Sequence, residues 1–199
     1  MISRRTVFLS LLVGLVQTKA QAQPLRGRYF TVVWGYEGAN GDPTEAHTFA
    51  TFYRGDELAS GVIHPSIISW LPATGVVRSD GVEKGKNFSL AETLALAKQH
   101  DFRVAAFGPF EISAENYASA QARIRLLNSG KVAYTMINGP EGAMNCIEAA
   151  GSVGGPLSTG AAYGLPASRL VAEHLAVDAE HLDQDATQRL HLRGYVTPE

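Results

Sequence analysis

The amino-acid sequence predicts a single α+β domain with a mostly antiparallel sheet packed against helices. Runs rich in β-branched and aromatic residues alternate with Gly- and Pro-containing turns in the first third of the chain. Segments with capping residues and a helical period of apolar positions follow them. Hydrophobic residues make up 45% of the 199-residue chain, which is typical of a globular protein with a proper core. The sequence contains no internal repeat and no sign of a second domain.

Five segments have the composition of β-strands. The clearest is Tyr-Phe-Thr-Val-Val-Trp-Gly-Tyr at residues 29–36, in which aromatic and β-branched side chains dominate. Residues 47–53 and residues 66–71 are predicted to pair as an antiparallel hairpin, because only a short turn-rich segment separates them. The remaining two strands are predicted at residues 102–107 and 131–137.

Capping residues and apolar periodicity predict the helices. Ser89 and Glu92 form a capping box at the start of a short helix. Ser113 caps a longer helix that Gly130 ends, and residues 165–175 form a further helix.

The connecting segments are predicted from their Gly content and polarity. Residues 55–61 are predicted to form a turn, and residues 71–87 a long surface connection. The polar segment from about residue 176 to the C-terminus is predicted to be peripheral.

Residues 1–22 have the three parts of an export signal. A positively charged start is followed by an apolar stretch at residues 7–16 and by Ala-Gln-Ala at residues 20–22, which fits a cleavage site. The apolar stretch is too short for a stable membrane anchor. The sequence therefore predicts a domain at residues 23–199 that is periplasmic or secreted, and it leaves the export route open between the general and twin-arginine pathways.

Removal of the signal makes the chain more acidic. The signal contains Arg4, Arg5 and Lys19 but no acidic residue, so 14 basic side chains remain against 19 acidic ones, a net charge of about −5. A mildly acidic surface argues against nucleic acid and against an anionic membrane as the dominant partner. The oligomeric state is left open.

The only cysteine of the chain, Cys146, lies in a segment with the features of a helix start. Asn145 is a preferred N-cap residue, and Glu148 stands three positions later, as in a capping box. Unpaired backbone N–H groups at the first helical position favour a thiolate. A single cysteine in an exported protein has no internal disulfide partner, so Cys146 is either buried and inert or kept for its reactivity.

His47 is the histidine that we expect to be held rigidly, because it opens a strand whose face is apolar and aromatic. On the next strand, either Ser66 or Ser69 is expected to orient the imidazole, depending on the strand register. We predict that Ser69 has this role. A Cys–His pair is sufficient for acyl transfer, since the imidazole takes the proton and the thiolate attacks a carbonyl. The chain has no H-E-x-x-H motif, cysteine pair or Gly-rich phosphate loop, so no metal or cofactor is predicted.

A histidine at a strand start, followed far downstream by Asn-Cys at a helix start, resembles the circularly permuted branch of the NlpC-type, papain-like superfamily. That branch includes the lecithin–retinol acyltransferases, and the chain is especially similar to periplasmic Cys–His domains related to bacterial lipoprotein N-acyltransferases. The resemblance is carried by His47 in His-Thr-Phe-Ala-Thr-Phe, Tyr134 in Val-Ala-Tyr-Thr, and Asn145-Cys146. It implies a permuted papain-like arrangement in which Cys146 is the nucleophile and His47 the base. It also implies that Asn145 and Tyr134 contribute to substrate binding.

The sequence thus predicts an exported cysteine-dependent amidase, esterase or acyltransferase that works through a thioester. Its expected substrate is a lipid or a peptide of the cell envelope, and the sequence chooses neither between these two nor between hydrolysis and transfer. An apolar channel beside Cys146 would favour acyl chains, whereas an open polar cleft would favour peptides. The alternative is a non-catalytic exported binding module in which Cys146 is buried and structural.

Overall fold

The computed structural model describes residues 24–137 and 139–191 and confirms the α+β class. The export signal predicted at residues 1–22 lies outside the described residues. The described strands are β1 (Tyr29–Glu37), β2 (His47–Arg54), β3 (Ser66–Ile68), β4 (Trp70–Pro72), β5 (Glu83–Asn87), β6 (Arg103–Ile112), β7 (Ala133–Tyr134) and β8 (Ala143–Met144). The described α-helices are α1 (Gly55–Ser60), α2 (Leu90–Gln99), α3 (Ala114–Asn128), α4 (Cys146–Gly151), α5 (Gly164–Leu175) and α6 (Gln184–Leu190).

The strands form two four-stranded sheets. The first has the order β3-β2-β1-β6 and is antiparallel throughout. The second has the order β4-β5-β7-β8 and is mixed, because β7 and β8 run parallel. The predicted hairpin is confirmed, since β2 pairs antiparallel with β3 and Ala50 lies opposite Ile68.

The strand predicted at residues 66–71 is interrupted at Ser69, which separates β3 from β4 and so lies where the first sheet passes into the second. The backbone N–H of Ser69 donates to Oδ1 of Asn87 at 2.8 Å, and its carbonyl accepts from the N–H of Phe88 at 2.8 Å. A side chain therefore takes the place of a neighbouring strand at this residue, and that breaks the regular ladder.

Four other sequence predictions need correction. The turn predicted at residues 55–61 is the helix α1, and its Leu58 is buried. The surface connection predicted at residues 71–87 contains the strand β5, which pairs with both β4 and β7 although its own residues are polar. Tertiary pairing outweighs local strand propensity in that segment. The strand predicted at residues 131–137 is reduced to the two residues of β7. The strand predicted at residues 102–107 is β6, and it continues to Ile112.

The C-terminal segment is less peripheral than predicted. It contains α6, whose Ala186 is fully buried against the core. Asp183, the N-cap of α6, forms an ion pair with Arg28 at 3.0 Å. The described part of this segment is therefore docked on the domain.

Helices cover both faces of the first sheet. The face that includes Ala50 and Phe52 packs against residues of α3, α4 and α5. The opposite face, which includes Phe49 and Tyr53, packs against residues of α1, α2 and α6. In the described ranges, no helix is both long enough and apolar enough to cross a membrane.

The predicted capping box of α2 is confirmed, and it gives a first testable prediction. The side chain of Ser89 accepts from the N–H of Glu92 at 3.3 Å, and a carboxylate oxygen of Glu92 accepts from the N–H of Ser89 at 2.8 Å. We expect Ser89→Ala to lower the free energy of unfolding by about 1 kcal/mol, because the replacement leaves a first-turn N–H without its acceptor. Urea unfolding of the two proteins measures the difference, and an unchanged midpoint would contradict the prediction.

Candidate active site

Cys146 is the first residue of α4, and Asn145 is its N-cap, as the sequence predicts. The side-chain oxygen of Asn145 accepts a hydrogen bond from the backbone N–H of Glu148 at 2.8 Å. The amide oxygen of Asn145 is thus engaged in starting the helix. This contact fixes the position of the Cys146 backbone directly after the cap.

The thiol of Cys146 is surrounded by backbone donors but is poorly accessible. The residue is 8% exposed. Its sulfur interacts with the backbone N–H groups of Thr48, Ile147 and Cys146 itself, each of which lowers the pKa of the thiol. Burial has the larger effect and raises the pKa above the ordinary value.

The structure therefore differs from the sequence-based expectation that the helix start favours a thiolate. Loss of solvation disfavours the charged form by more than the three N–H groups favour it. Burial therefore favours the neutral thiol of Cys146 over the thiolate.

His47 is fully buried at the start of β2 and is anchored through one ring nitrogen. Its Nε2 lies 2.9 Å from Oγ of Ser69. The ring centroid lies 5.2 Å from that of Tyr36 and 5.3 Å from that of Phe49. Burial lowers the pKa of His47 to about 3, so the imidazole is neutral at neutral pH.

Of the two serines considered, Ser69 is the one whose hydroxyl lies within hydrogen-bond distance of the imidazole of His47. The hydroxyl of Ser66 donates instead to Oε1 of Gln121 at 3.4 Å. Ser69 is brought to the imidazole because it lies at the break between β3 and β4, beside the start of β2.

The second ring nitrogen of His47, Nδ1, is buried and has no hydrogen-bond partner among the described residues. Buried polar atoms are nearly always hydrogen-bonded, so an exception needs a physical reason. An imidazole that is hydrogen-bonded at one nitrogen and unpaired at the other has one ring nitrogen available for proton transfer, as a general base requires.

The structure brings the thiol to the beginning of β2, where His47 lies. The sulfur contacts the N–H of Thr48, which belongs to the peptide bond that joins His47 to Thr48. No hydrogen bond joins Nδ1 of His47 to the sulfur in the described part of the chain. Hydrogen bonds of catalytic pairs are often long in proteins without substrate and tighten when substrate binds.

Two tyrosines border the same region. Tyr36 is the register partner of His47 on β1, and Tyr134 lies in β7. Burial raises the pKa of each phenol, and the proximity of Cys146 raises both further. The structure thus places the sequence-predicted Tyr134 close to the thiol.

Sequence reasoning missed two residues of this region, Tyr36 and Thr93. Tyr36 ends a predicted strand and could have been found only from the pairing register, which places it opposite His47. Thr93 lies inside α2, and its hydroxyl is 2.7 Å from that of Ser69. No local pattern marks Thr93, because its contact with Ser69 depends on how α2 packs against the sheet.

Among residues 24–137 and 139–191, no group of three or more His, Cys, Asp or Glu side chains is arranged to hold a metal ion. Comparison with protein-family models, with curated proteins and with solved structures finds no match to this chain.

Proposed function

We propose that this protein is an exported cysteine-dependent acyl-transfer enzyme with Cys146 as nucleophile, His47 as general base and Ser69 as the residue that orients the base. The observation that carries the proposal is that His47 has a buried Nδ1 with no hydrogen-bond partner among the described residues, while the N–H of the next residue, Thr48, contacts the only thiol of the chain. The order of these residues also supports membership of the permuted NlpC-type, papain-like superfamily.

The proposed reaction begins with both groups neutral. When an ester or amide carbonyl reaches the sulfur, Nδ1 of His47 takes the thiol proton while the sulfur attacks the carbonyl carbon. The resulting oxyanion is stabilised by backbone N–H groups at the start of α4, including that of Cys146. The imidazolium then gives its proton to the leaving alcohol or amine, and a thioester on Cys146 remains.

The pKa values favour proton transfer that is concerted with attack over a preformed ion pair. Burial raises the pKa of Cys146 and lowers that of His47, so an isolated thiolate and imidazolium are both disfavoured at rest. The negative charge that develops on the substrate oxygen supplies the partner that the imidazolium requires. Transfer of the acyl group to water or to an amine restores the neutral pair.

The substrate is proposed to be a lipid acyl group or a peptide amide of the cell envelope. This part of the proposal rests on the export signal predicted at residues 1–22 and on the resemblance to periplasmic Cys–His domains. The protein then acts outside the cytoplasmic membrane, as a periplasmic or secreted enzyme.

Trapping of the thioester tests the proposal. Folded protein is mixed with p-nitrophenyl acetate, quenched with acid and analysed by intact mass spectrometry and peptide mapping. We expect a hydroxylamine-sensitive acetyl group on Cys146 that forms faster in the folded than in the urea-unfolded chain. Because Cys146 is the only cysteine, Cys146→Ala is a complete control for thioester formation.

The alternative, a binding module with a structural cysteine, is favoured by the 8% exposure of Cys146 and by its raised pKa. In that case the folded protein acylates more slowly than the unfolded chain, because folding only hides the thiol. The comparison of folded and unfolded rates therefore separates the two functions.

A further inference from the structure

A series of three hydrogen bonds leads from the His47 side chain to the backbone of Ser89, the N-cap of α2. Nε2 of His47 lies 2.9 Å from Oγ of Ser69, and this oxygen lies 2.7 Å from Oγ1 of Thr93. The hydroxyl of Thr93 donates to the carbonyl oxygen of Ser89 at 2.9 Å. His47, Ser69 and Thr93 are fully buried, so no solvent competes for these bonds.

The carbonyl oxygen of Ser89 fixes the direction of all three hydrogen bonds. A carbonyl oxygen can only accept, so the single proton of the Thr93 hydroxyl points to Ser89. Oγ1 of Thr93 can then only accept from Ser69, which uses the single proton of the Ser69 hydroxyl. Oγ of Ser69 is left as an acceptor for His47, so Nε2 of His47 must carry a proton.

The reverse direction is less favourable. If Ser69 donated to Nε2 of His47, the neutral imidazole would carry its proton on Nδ1. That N–H group would be a buried donor with no acceptor among the described residues. Buried N–H groups without a partner are rare because the lost hydration is not replaced.

We propose that Thr93 is a positioning residue that, through Ser69, holds His47 in the Nε2–H tautomer and keeps the lone pair on Nδ1 free to accept a proton. The role of Thr93 in catalysis rests on the proposed function, since in this tautomer only the Nδ1 lone pair of His47 can take the proton of Cys146. The tautomer itself is a property of the folded protein and is independent of any activity.

Nitrogen NMR of the imidazole tests this assignment directly. Long-range proton–nitrogen correlation on the ¹⁵N-labelled protein at neutral pH distinguishes a protonated ring nitrogen from one with a lone pair, and the spectrum of His47→Gln identifies the signals of His47. In the wild-type protein we expect a protonated Nε2 and an unprotonated Nδ1.

Thr93→Val keeps the shape of the side chain and removes the hydroxyl. The Ser69 proton then loses its acceptor and becomes free to point at His47, so we expect Nδ1–H signals to appear. The rate of Cys146 acylation is expected to fall about tenfold, the size of one lost hydrogen bond between neutral groups. Thr93→Ser retains the hydroxyl and should restore both the tautomer and the rate.

Ser89→Ala is the matched control, because it weakens the cap of α2 but keeps the carbonyl that ends the chain of hydrogen bonds. It should leave the tautomer of His47 unchanged. A wild-type His47 protonated on Nδ1 would overturn the proposal even if Thr93→Val does not fold, and so would an unaltered tautomer in folded Thr93→Val. If the tautomers behave as expected but wild-type Cys146 forms no thioester, the proposed function fails and the role of Thr93 in setting the tautomer stands.

Discussion

Replacement of His47 by Gln is expected to lower kcat/KM for acyl transfer by about 10²- to 10⁴-fold, the usual contribution of a positioned general base. Gln is similar in length and can still hydrogen-bond to Ser69, so the start of β2 should be retained. What it lacks is a nitrogen lone pair that can take the thiol proton. The loss should appear in kcat rather than in KM, because the imidazole contributes to proton transfer and not to substrate affinity.

The measurement is the rate of acetyl transfer from p-nitrophenyl acetate under single-turnover and steady-state conditions. His64→Gln is the matched control, because His64 is exposed and lies in the segment between α1 and β3. It should keep the wild-type rate. Comparable acylation rates in His47→Gln and the wild type would exclude His47 as the base.

Acidification is expected to destabilise the wild-type protein more than His47→Gln. The pKa of His47 is about 3 in the folded protein and near the ordinary value of 6.5 in the unfolded chain. Between these two values the unfolded chain binds a proton that the folded protein does not bind. The stability that comes from the neutral buried imidazole is therefore complete above pH 6.5 and is lost as the pH falls towards 3.

The full difference is on the order of 5 kcal/mol, since one pKa unit corresponds to about 1.4 kcal/mol. Urea unfolding at a series of pH values measures it as the free energy of unfolding of the wild type minus that of His47→Gln. Carboxylates titrate in the same range, but they are common to both proteins and cancel in the difference. Parallel pH profiles for the two proteins would show that His47 is not held neutral by burial.

The local start signals of the helices could be read from the sequence. Ser89, Ser113 and Asn145 each begin a helix where predicted, and each accepts a hydrogen bond from an N–H group of the first turn. These contacts span three residues, so the residue types that make them stand together in the chain. The long strands β1 and β2 were equally visible because aromatic and β-branched residues fill them.

The elements that were misread depend on partners far away in the chain. The polar residues of β5 form a strand because β4 and β7 pair with it on both sides. The interruption at Ser69 arises because the side chain of Asn87 takes its backbone N–H. Neither effect has a local pattern, and the second one decides which serine reaches His47.

The chemical groups of the candidate site were determined by the sequence alone: one thiol at a capped helix start, and one histidine at the start of an apolar strand. Only the tertiary structure decided the state of these groups. Burial favours the neutral form of both the thiol and the imidazole. The break between β3 and β4 brings Ser69 to His47, and the packing of α2 brings Thr93 to Ser69. The physical reason is that residue type fixes which protons a side chain can exchange, whereas solvation and hydrogen-bond direction are set by neighbours from other segments of the chain.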